Sequence, residues 1–142
     1  MIEIQHITTD NPLYEQERAL RNTILLRPLG IPDHSWEMHD EKSWHFVALA
    51  NHHVVGCVVL VPLSPYKAQF IQMAVDASYQ GKGIGKTLLR ALIDFSVAEG
   101  IQELVCHARE PVVPFYTKLG FQVYGDPFTE VGIVHRYMRK IL

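Results

Sequence analysis

The sequence predicts one mixed α/β domain in which helices pack on a single sheet. Stretches with the two-residue period of strands alternate with stretches in which apolar residues recur every three or four positions, as in helices. The 142 residues are 48% hydrophobic and 20% charged, which is typical of a globular domain, and no repeat or linker divides them. We therefore expect residues 1–142 to form a single domain.

The amino-terminal part is predicted to be a strand, a helix and a loop. Residues 2–7 alternate apolar and polar side chains, as strands do. An Asp-Asn-Pro sequence at 10–12 is typical of a helix start, and the apolar positions of 13–25 predict a helix that stops before Pro28. Residues 28–43 are rich in Pro, Gly and polar side chains and are expected to be irregular. Such a loop is either a substrate-contacting segment or a plain connector.

The middle of the chain predicts three strands and a helix. Residues 44–50 and 54–61 are β-rich, and the short polar segment between them predicts a hairpin. A further strand is expected at 68–75. From Ile84 the apolar positions follow helical spacing, and this helix is predicted to end at Gly100.

The carboxy-terminal part predicts the remaining four elements. They are a strand at 101–106, a short helix at 111–119 that begins with Pro, and strands near 121–124 and 132–138. The predicted order is therefore β-α-β-β-β-α-β-α-β-β.

Charge and cysteine usage narrow the possible functions. A net charge of −2 argues against a general nucleic-acid binder, which normally has a basic face. Cys57 and Cys106 lie in apolar runs and are predicted to be buried thiols. Because no signal-peptide pattern or membrane-spanning apolar run is present, we expect a cytoplasmic protein that does not bind membranes.

Eight histidines raise the question of a metal site. His34 and His39, and the adjacent His52 and His53, lack a third ligand at a recognised spacing, and no His-Glu-x-x-His sequence occurs. The sequence therefore predicts no metal cofactor.

The glycine-rich segment Gln80-Gly81-Lys82-Gly83-Ile84-Gly85 can be compared with three phosphate-binding motifs. A dinucleotide fingerprint would need a third glycine at Lys86, and a P-loop would need its first glycine at Gln80, so both patterns fail by one residue. A third pattern, Arg/Gln-x-x-Gly-x-Gly/Ala, is matched in full. Glycines at a helix start let backbone N–H groups and the helix dipole meet a pyrophosphate.

Residues 73–85 resemble the cofactor-binding motif of the GNAT superfamily of N-acyltransferases, which use acyl-CoA. Residues 114–121, Pro-Phe-Tyr-Thr-Lys-Leu-Gly-Phe, resemble the second signature of that family. The two motifs stand in the family's order and at its usual separation, and the resemblance covers nearly the whole chain. It implies a GNAT fold, with a mixed, mostly antiparallel sheet and helices on both faces.

The resemblance also implies the cofactor contacts. The pyrophosphate of acetyl-CoA, a co-substrate, is expected at Gln80, Gly81, Lys82, Gly83, Ile84, Gly85, Lys86 and Thr87. The backbone of Met73, Ala74 and Val75 is expected to bind the pantetheine arm and to stabilise an oxyanion. Transfer needs no covalent enzyme intermediate, because both substrates are held side by side.

Tyr116 matches the family tyrosine that protonates the leaving thiolate. A phenol with a pKa of ~10 can protonate a thiolate whose thiol has a pKa of ~8.5. Arg109 stands where many relatives have a cofactor-contacting Asn, and it can still bond a carbonyl or phosphate. Leu104 stands where some relatives have a glutamate base.

The sequence therefore leaves three candidates for the general base: His107, His135 and a water chain through backbone carbonyls. His107 ends the strand that leads toward Tyr116, and His135 lies in a Gly-Ile-Val-His sequence similar to that of some GNAT branches. The acceptor is expected to be an amine of a small molecule or peptide, and the family often forms homodimers. The alternative from another class is a non-catalytic acyl-CoA-binding module on the same fold.

Overall fold

The computed structural model describes residues 1–142 and contains the ten predicted elements in the predicted order. The strands are β1 (Ile2–Ile7), β2 (Trp44–Ala50), β3 (His53–Pro62), β4 (Lys67–Val75), β5 (Glu103–Arg109), β6 (Gln122–Glu130) and β7 (Ile133–Ile141). The helices are α1 (Leu13–Arg21), α2 (Ile84–Ala98) and α3 (Val113–Thr117).

The seven strands form one sheet in the order β1-β2-β3-β4-β5-β7-β6. All neighbouring pairs are antiparallel except β4 and β5, which are parallel. This parallel pair is short, because only residues 67–69 pair with 103–105. Beyond Gln69 the two central strands have no pairing with each other, so the sheet opens between them.

Helices cover the sheet on both faces. The larger core cluster lies under α2 and α3 and contains Leu88, Leu92 and Phe121. A smaller cluster lies under α1 and contains Leu20, Val47 and Cys57. The predicted mixed, mostly antiparallel sheet with helices on both faces is therefore confirmed.

The first helix ends differently from the prediction. The α-helical part stops at Arg21, and the chain continues as a π-turn over Asn22–Leu26 and a 3₁₀ turn over Arg27–Leu29. Pro28 has no N–H to donate to the carbonyl four residues back, so regular α-helical bonding cannot continue through it. The α-helix therefore ends before Pro28, as predicted, but it is shorter than the apolar positions of 13–25 indicated.

Three other predicted elements, all in the carboxy-terminal part, have different lengths in the structure. The last two strands are longer than predicted, because β6 and β7 pair along most of their length. The helix predicted at 111–119 is divided into a 3₁₀ turn over Glu110–Val112 and the short helix α3. Cys57 and Cys106 are buried free thiols, as predicted. None of the helices is long and apolar enough to cross a membrane.

Candidate active site

A cavity of about 310 Å³ opens where β4 and β5 separate. It is lined by residues 70–73 of β4, by Cys106, His107 and Arg109 of β5, and by Tyr116 of α3. Trp36, Glu130 and His135 reach the cavity from the loop before β2 and from the last hairpin. Its volume lies within the range of small-molecule sites.

Tyr116 is buried against the aromatic side chains of the core and also lines this cavity. Its ring centroid lies 5.6 Å from that of Phe70 and 6.1 Å from that of Phe121. Burial raises the pKa of Tyr116 above its usual value, as does the neighbouring Cys106, whereas the charge of Arg109 opposes this shift. The phenol therefore stays protonated at neutral pH, and it is a weaker acid than the phenol with the ordinary pKa of ~10 that was expected from the sequence.

A carboxylate lies between the two candidate histidines. Nδ1 of His107 is 3.1 Å from Oε2 of Glu130, and Nε2 of His135 is 3.8 Å from Oε1 of the same residue. His135 is buried, whereas His107 keeps about a third of its side chain exposed. The rings of Phe128 and Tyr137 pack edge-on against His107 and hold its plane.

The hydrogen bonds assign different roles to the ring nitrogens of these histidines. With Nδ1–H of His107 donated to Glu130, its Nε2 carries the lone pair and has no partner in the protein. Nδ1–H of His135 donates to the carbonyl of Ile133 at 2.8 Å, and its Nε2 faces the carboxylate of Glu130. A base must direct a lone pair at its substrate. The Nε2 lone pair of His107 faces no protein partner, whereas Nε2 of His135 faces a carboxylate oxygen 3.8 Å away, so His107 is the better placed of the two.

A second cavity, of about 410 Å³, adjoins the first. The two cavities share the side chains of Trp36, Ile71, Gln72, His107, Glu130 and Val131. Gln72 lies at a bulge of β4 with a positive φ of 57°, and its side-chain Oε1 is buried without a partner. An unpartnered buried acceptor is costly, so this amide suits a ligand that donates an N–H.

The glycine-rich segment forms the turn from β4 into α2. Gly81 and Gly83 have φ of 79° and 80°, a left-handed conformation that favours glycine, and a Cβ at either position would meet no atom within 4 Å. These glycines are therefore needed for their backbone conformation rather than for packing space. Gly83 is the N-cap of α2, so the first N–H groups of the helix are free for an anion.

Several side chains of this segment have roles within the protein. Gln80 donates from Nε2 to the carbonyl of Val75 at 2.9 Å, which fixes the turn to the end of β4. The Thr87 hydroxyl donates to the carbonyl of Gly83 at 3.0 Å. Ile84 is buried in the core, so only its backbone is available to a ligand. Lys82 and Lys86 are exposed.

The residues predicted from the sequence fall into two groups. The first cavity gathers five of them: Met73, His107, Arg109, Tyr116 and His135. The glycine-rich segment lies outside its lining, and Ala74 and Val75 pair with β3 rather than line the cavity. The two groups are neighbours in space: Gly85 of the glycine-rich segment lies next to Met73 of the cavity, since a Cβ placed on Gly85 would be 3.8 Å from the Met73 side chain.

Glu130, Gln72 and Trp36 line both cavities and were not among the residues singled out from the sequence. Glu130 directly precedes the last hairpin turn, and only the strand order β5-β7-β6 brings it to His107. Gln72 and Trp36 both have a positive φ. Glutamine and tryptophan normally avoid this conformation, so nothing in the sequence could have predicted it at these positions.

No group of three or more His, Cys, Asp or Glu side chains in the structure is arranged to hold a metal ion. The side chains that line the first cavity offer a phenol, two imidazoles, a carboxylate, a guanidinium and an amide.

Comparison with known proteins gives one family match that spans most of the chain. A model of the acetyltransferase (GNAT) family matches residues 6–121. Among curated proteins, glucosamine 6-phosphate N-acetyltransferase of Trypanosoma brucei brucei is 38% identical over 52 residues, which are 37% of this chain. The matched stretch spans only 35% of that relative.

Solved structures resemble the fold over the full chain. Escherichia coli ElaA matches with a TM-score of 0.88 at 16% identity, covering 99% of each chain. A GNAT family acetyltransferase from Elizabethkingia anophelis, solved with acetyl-CoA bound, matches with a TM-score of 0.77 at 22% identity, covering 99% of this chain and 98% of that chain. At these identities the likeness shows the fold alone.

Proposed function

Since the chain belongs to the acetyltransferase (GNAT) family, we propose that it is a single-domain cytoplasmic enzyme that transfers an acetyl group from acetyl-CoA to an amine. The observation that carries this proposal is the cavity between the separated ends of β4 and β5. There Tyr116 and the His107–Glu130 pair line one space of about 310 Å³.

The glycine-rich turn is the proposed pyrophosphate site. The free N–H groups at the start of α2 and the positive end of its dipole attract an anion, and Lys82 and Lys86 add positive charge beside them. The Gln80–Val75 bond keeps this turn in place without using the backbone N–H groups. The acetyl group is proposed because the family match is to acetyltransferases and the Elizabethkingia anophelis enzyme was solved with acetyl-CoA.

The pantetheine arm is proposed to lie in the opening between β4 and β5. Beyond Gln69, β4 has no strand partner on its β5 side, so backbone groups along this edge can bond an extended ligand. An N–H of Met73, Ala74 or Val75 is proposed to stabilise the oxyanion, and Arg109 to bond a carbonyl or phosphate of the cofactor.

His107 is the proposed general base. Its Nε2 takes a proton from the acceptor amine while Nδ1–H stays bonded to Glu130, which also stabilises the imidazolium that forms. The amine nitrogen attacks the thioester carbonyl carbon, a C–N bond forms and the C–S bond breaks. His135 is proposed to hold Glu130 in position, because its Nε2 faces that carboxylate.

Tyr116 is the proposed acid that gives its proton to the leaving thiolate sulfur. The phenol is protonated at neutral pH, although burial raises its pKa and so makes the proton transfer to sulfur less favourable than for an ordinary phenol. The developing negative charge then lies next to a largely buried phenol, where it strengthens the hydrogen bond from the hydroxyl.

The amine is proposed to enter through the second cavity. Oε1 of Gln72 is a ready acceptor for one of its N–H groups, and His107 and Glu130 lie in the shared wall. Holding the nitrogen between these groups orients it for attack on the thioester.

Titration calorimetry with acetyl-CoA, followed by a thiol-release assay over a panel of amines, tests the proposal. We expect binding of acetyl-CoA and release of coenzyme A with at least one primary amine. Binding without turnover across a broad panel would favour the non-catalytic acyl-CoA-binding module, and absence of binding would overturn the proposed function.

A further inference from the structure

Four ionisable side chains are buried between α1 and the segment that leads into β2, outside the two cavities. Glu17, Arg21, Asp40 and His45 are each no more than 2% exposed. Nη1 of Arg21 lies 3.0 Å from Oε2 of Glu17 and 2.8 Å from Oδ2 of Asp40. His45 joins the network through Nδ1, which is 2.7 Å from the same Glu17 oxygen.

The hydrogen bonds of His45 require both ring nitrogens to be donors. Nδ1 faces the Glu17 carboxylate, and Nε2 faces the backbone carbonyl of Asp40 at 2.8 Å. Since both partners can only accept, the ring is an imidazolium. Two cations and two carboxylates then balance within the buried network.

Such a network is a poor source of stability, because desolvation of the ions offsets most of their attraction and apolar side chains could fill the same space. The network also fixes a backbone group of the loop before β2, and this contact indicates its role. Arg21 also donates from Nη2 to the backbone carbonyl of Trp36 at 3.0 Å. One guanidinium therefore bonds both buried carboxylates and the backbone of a residue that lines the two cavities.

Trp36 needs to be held, because its backbone is strained. Its φ is 64°, and that of His34, two residues earlier, is 66°. Bulky L-residues rarely adopt this left-handed conformation, which persists where the surrounding structure imposes it. The N–H of His34 is fixed by Oδ1 of Asn22 at 2.8 Å, so α1 and its π-turn hold this part of the loop at two points.

We infer that the buried Glu17–Arg21–Asp40–His45 network is a positioning device for Trp36, which is a specificity-determining wall for the acceptor amine. The inference rests on the proposed function, in that the acceptor occupies the cavities that Trp36 lines. The network acts through Trp36 and touches no reacting atom.

The first test follows Trp36 directly. The chain has two tryptophans, so Trp44→Phe leaves Trp36 as the only one. In that background Arg21→Lys keeps a positive charge but loses the planar fork that reaches both carboxylates and the Trp36 carbonyl. We expect acrylamide to quench Trp36 more strongly in Arg21→Lys. The matched control is Arg90→Lys on the exposed side of α2, which should leave quenching unchanged.

The second test measures kinetics with an amine found in the panel. Arg21→Lys should raise the acceptor KM about fivefold to tenfold, as expected for one lost hydrogen bond, and leave the acetyl-CoA KM unchanged. Trp36→Ala should alter the order of preference among amines of different size. Unchanged quenching together with an unchanged acceptor KM in Arg21→Lys would overturn the inference, even if its melting temperature fell.

A gentler variant covers the case in which Arg21→Lys does not fold. Tyr14 donates its hydroxyl to Oδ2 of Asp40 at 2.5 Å, and Tyr14→Phe removes that one bond. Tyr14→Phe should also increase the quenching of Trp36 by acrylamide, but by less than Arg21→Lys does. Unchanged quenching in Tyr14→Phe would count against the inference. Fluorescence needs no substrate, so a failure of the proposed function leaves this arm interpretable.

Discussion

His107 on β5 and Glu130 at the end of β6 are joined by a 3.1 Å hydrogen bond, although β7 lies between their strands. The last hairpin makes this possible, because Glu130 lies at its tip, opposite Ile133 in the strand register. The contact leaves Nε2 of His107 without a partner in the protein, and the His107 side chain lines both cavities.

Removing the imidazole of His107 tests its role as base. His107→Ala should lower kcat about 100-fold or more, the usual contribution of a general base, with an unchanged KM for acetyl-CoA. Added imidazole should restore part of the activity by supplying the lost group. Steady-state thiol release measures both effects.

His135→Gln is the matched control for this prediction, because it leaves the free Nε2 of His107 in place. We expect a smaller loss of kcat and no response to added imidazole. A larger loss in His135→Gln than in His107→Ala would instead assign the base to His135.

Tyr116→Phe should separate chemistry from folding. We expect kcat to fall by about 100-fold, because no proton donor then meets the thiolate. The melting temperature should change little, since the ring contacts with Phe70 and Phe121 remain. Unchanged turnover in a folded Tyr116→Phe protein would remove the acid role.

Features set by residues close together in the chain could be predicted from the sequence, whereas contacts between residues far apart in the chain could not. Hydrophobic period and turn residues are local features, so the order of elements and the glycine-rich turn into α2 could be predicted from the sequence. Glu130 became part of the site through strand order. The Arg21 network formed through contacts of α1 with His45 of β2 and with Asp40 in the loop before it. These are long-range arrangements with no local signal in the chain.

The glycines at the two ends of α2 offer a test of the pyrophosphate site. Gly83 and Gly100 have φ of 80° and 81°, and a Cβ added at either position would have no atom within 4 Å. Gly83→Ala and Gly100→Ala should therefore destabilise the protein equally, by about 1–2 kcal/mol. Only Gly83→Ala should weaken acetyl-CoA binding, as measured by calorimetry. Equal affinity in the two variants would argue against this site.

His45 predicts a pH dependence of stability. Burial lowers the pKa of His45, but the hydrogen bond and charge of Glu17, with a smaller contribution from Asp40, outweigh it and raise the pKa above 6.5. The resulting stabilisation is complete below the unfolded-state pKa of about 6.5 and is lost as pH rises through the higher folded-state value. Tyr14 packs against the ring of His45, and His6 interacts with it electrostatically, but neither residue reverses the upward shift of the His45 pKa.

Urea unfolding of the wild type and of His45→Gln between pH 6 and 9 measures this effect. At pH 6 the variant should be less stable by about 2 kcal/mol, the usual value of a hydrogen bond to a charged group. The difference should narrow as the pH rises. A difference that grows with pH would mean that His45 is neutral in the folded protein.

The two hairpin turns make a matched pair for backbone strain. Val131 in the β6–β7 turn has φ of 47°, and Asn51 at the equivalent position of the β2–β3 turn has φ of 50°. Asn tolerates this conformation, whereas a β-branched side chain clashes with its own backbone there. Val131→Asn should therefore raise the free energy of unfolding by about 1 kcal/mol, and Asn51→Val should lower it by a similar amount.

The same substitution also probes the site, because Val131 lines both cavities and follows Glu130. Val131→Asn should change the acceptor KM while the acetyl-CoA KM stays constant, whereas Asn51→Val should change neither. Chemical denaturation and steady-state kinetics on the same samples give both values. If Val131→Asn lost stability, the strain at this turn would be offset by apolar contacts of the valine with the cavity wall.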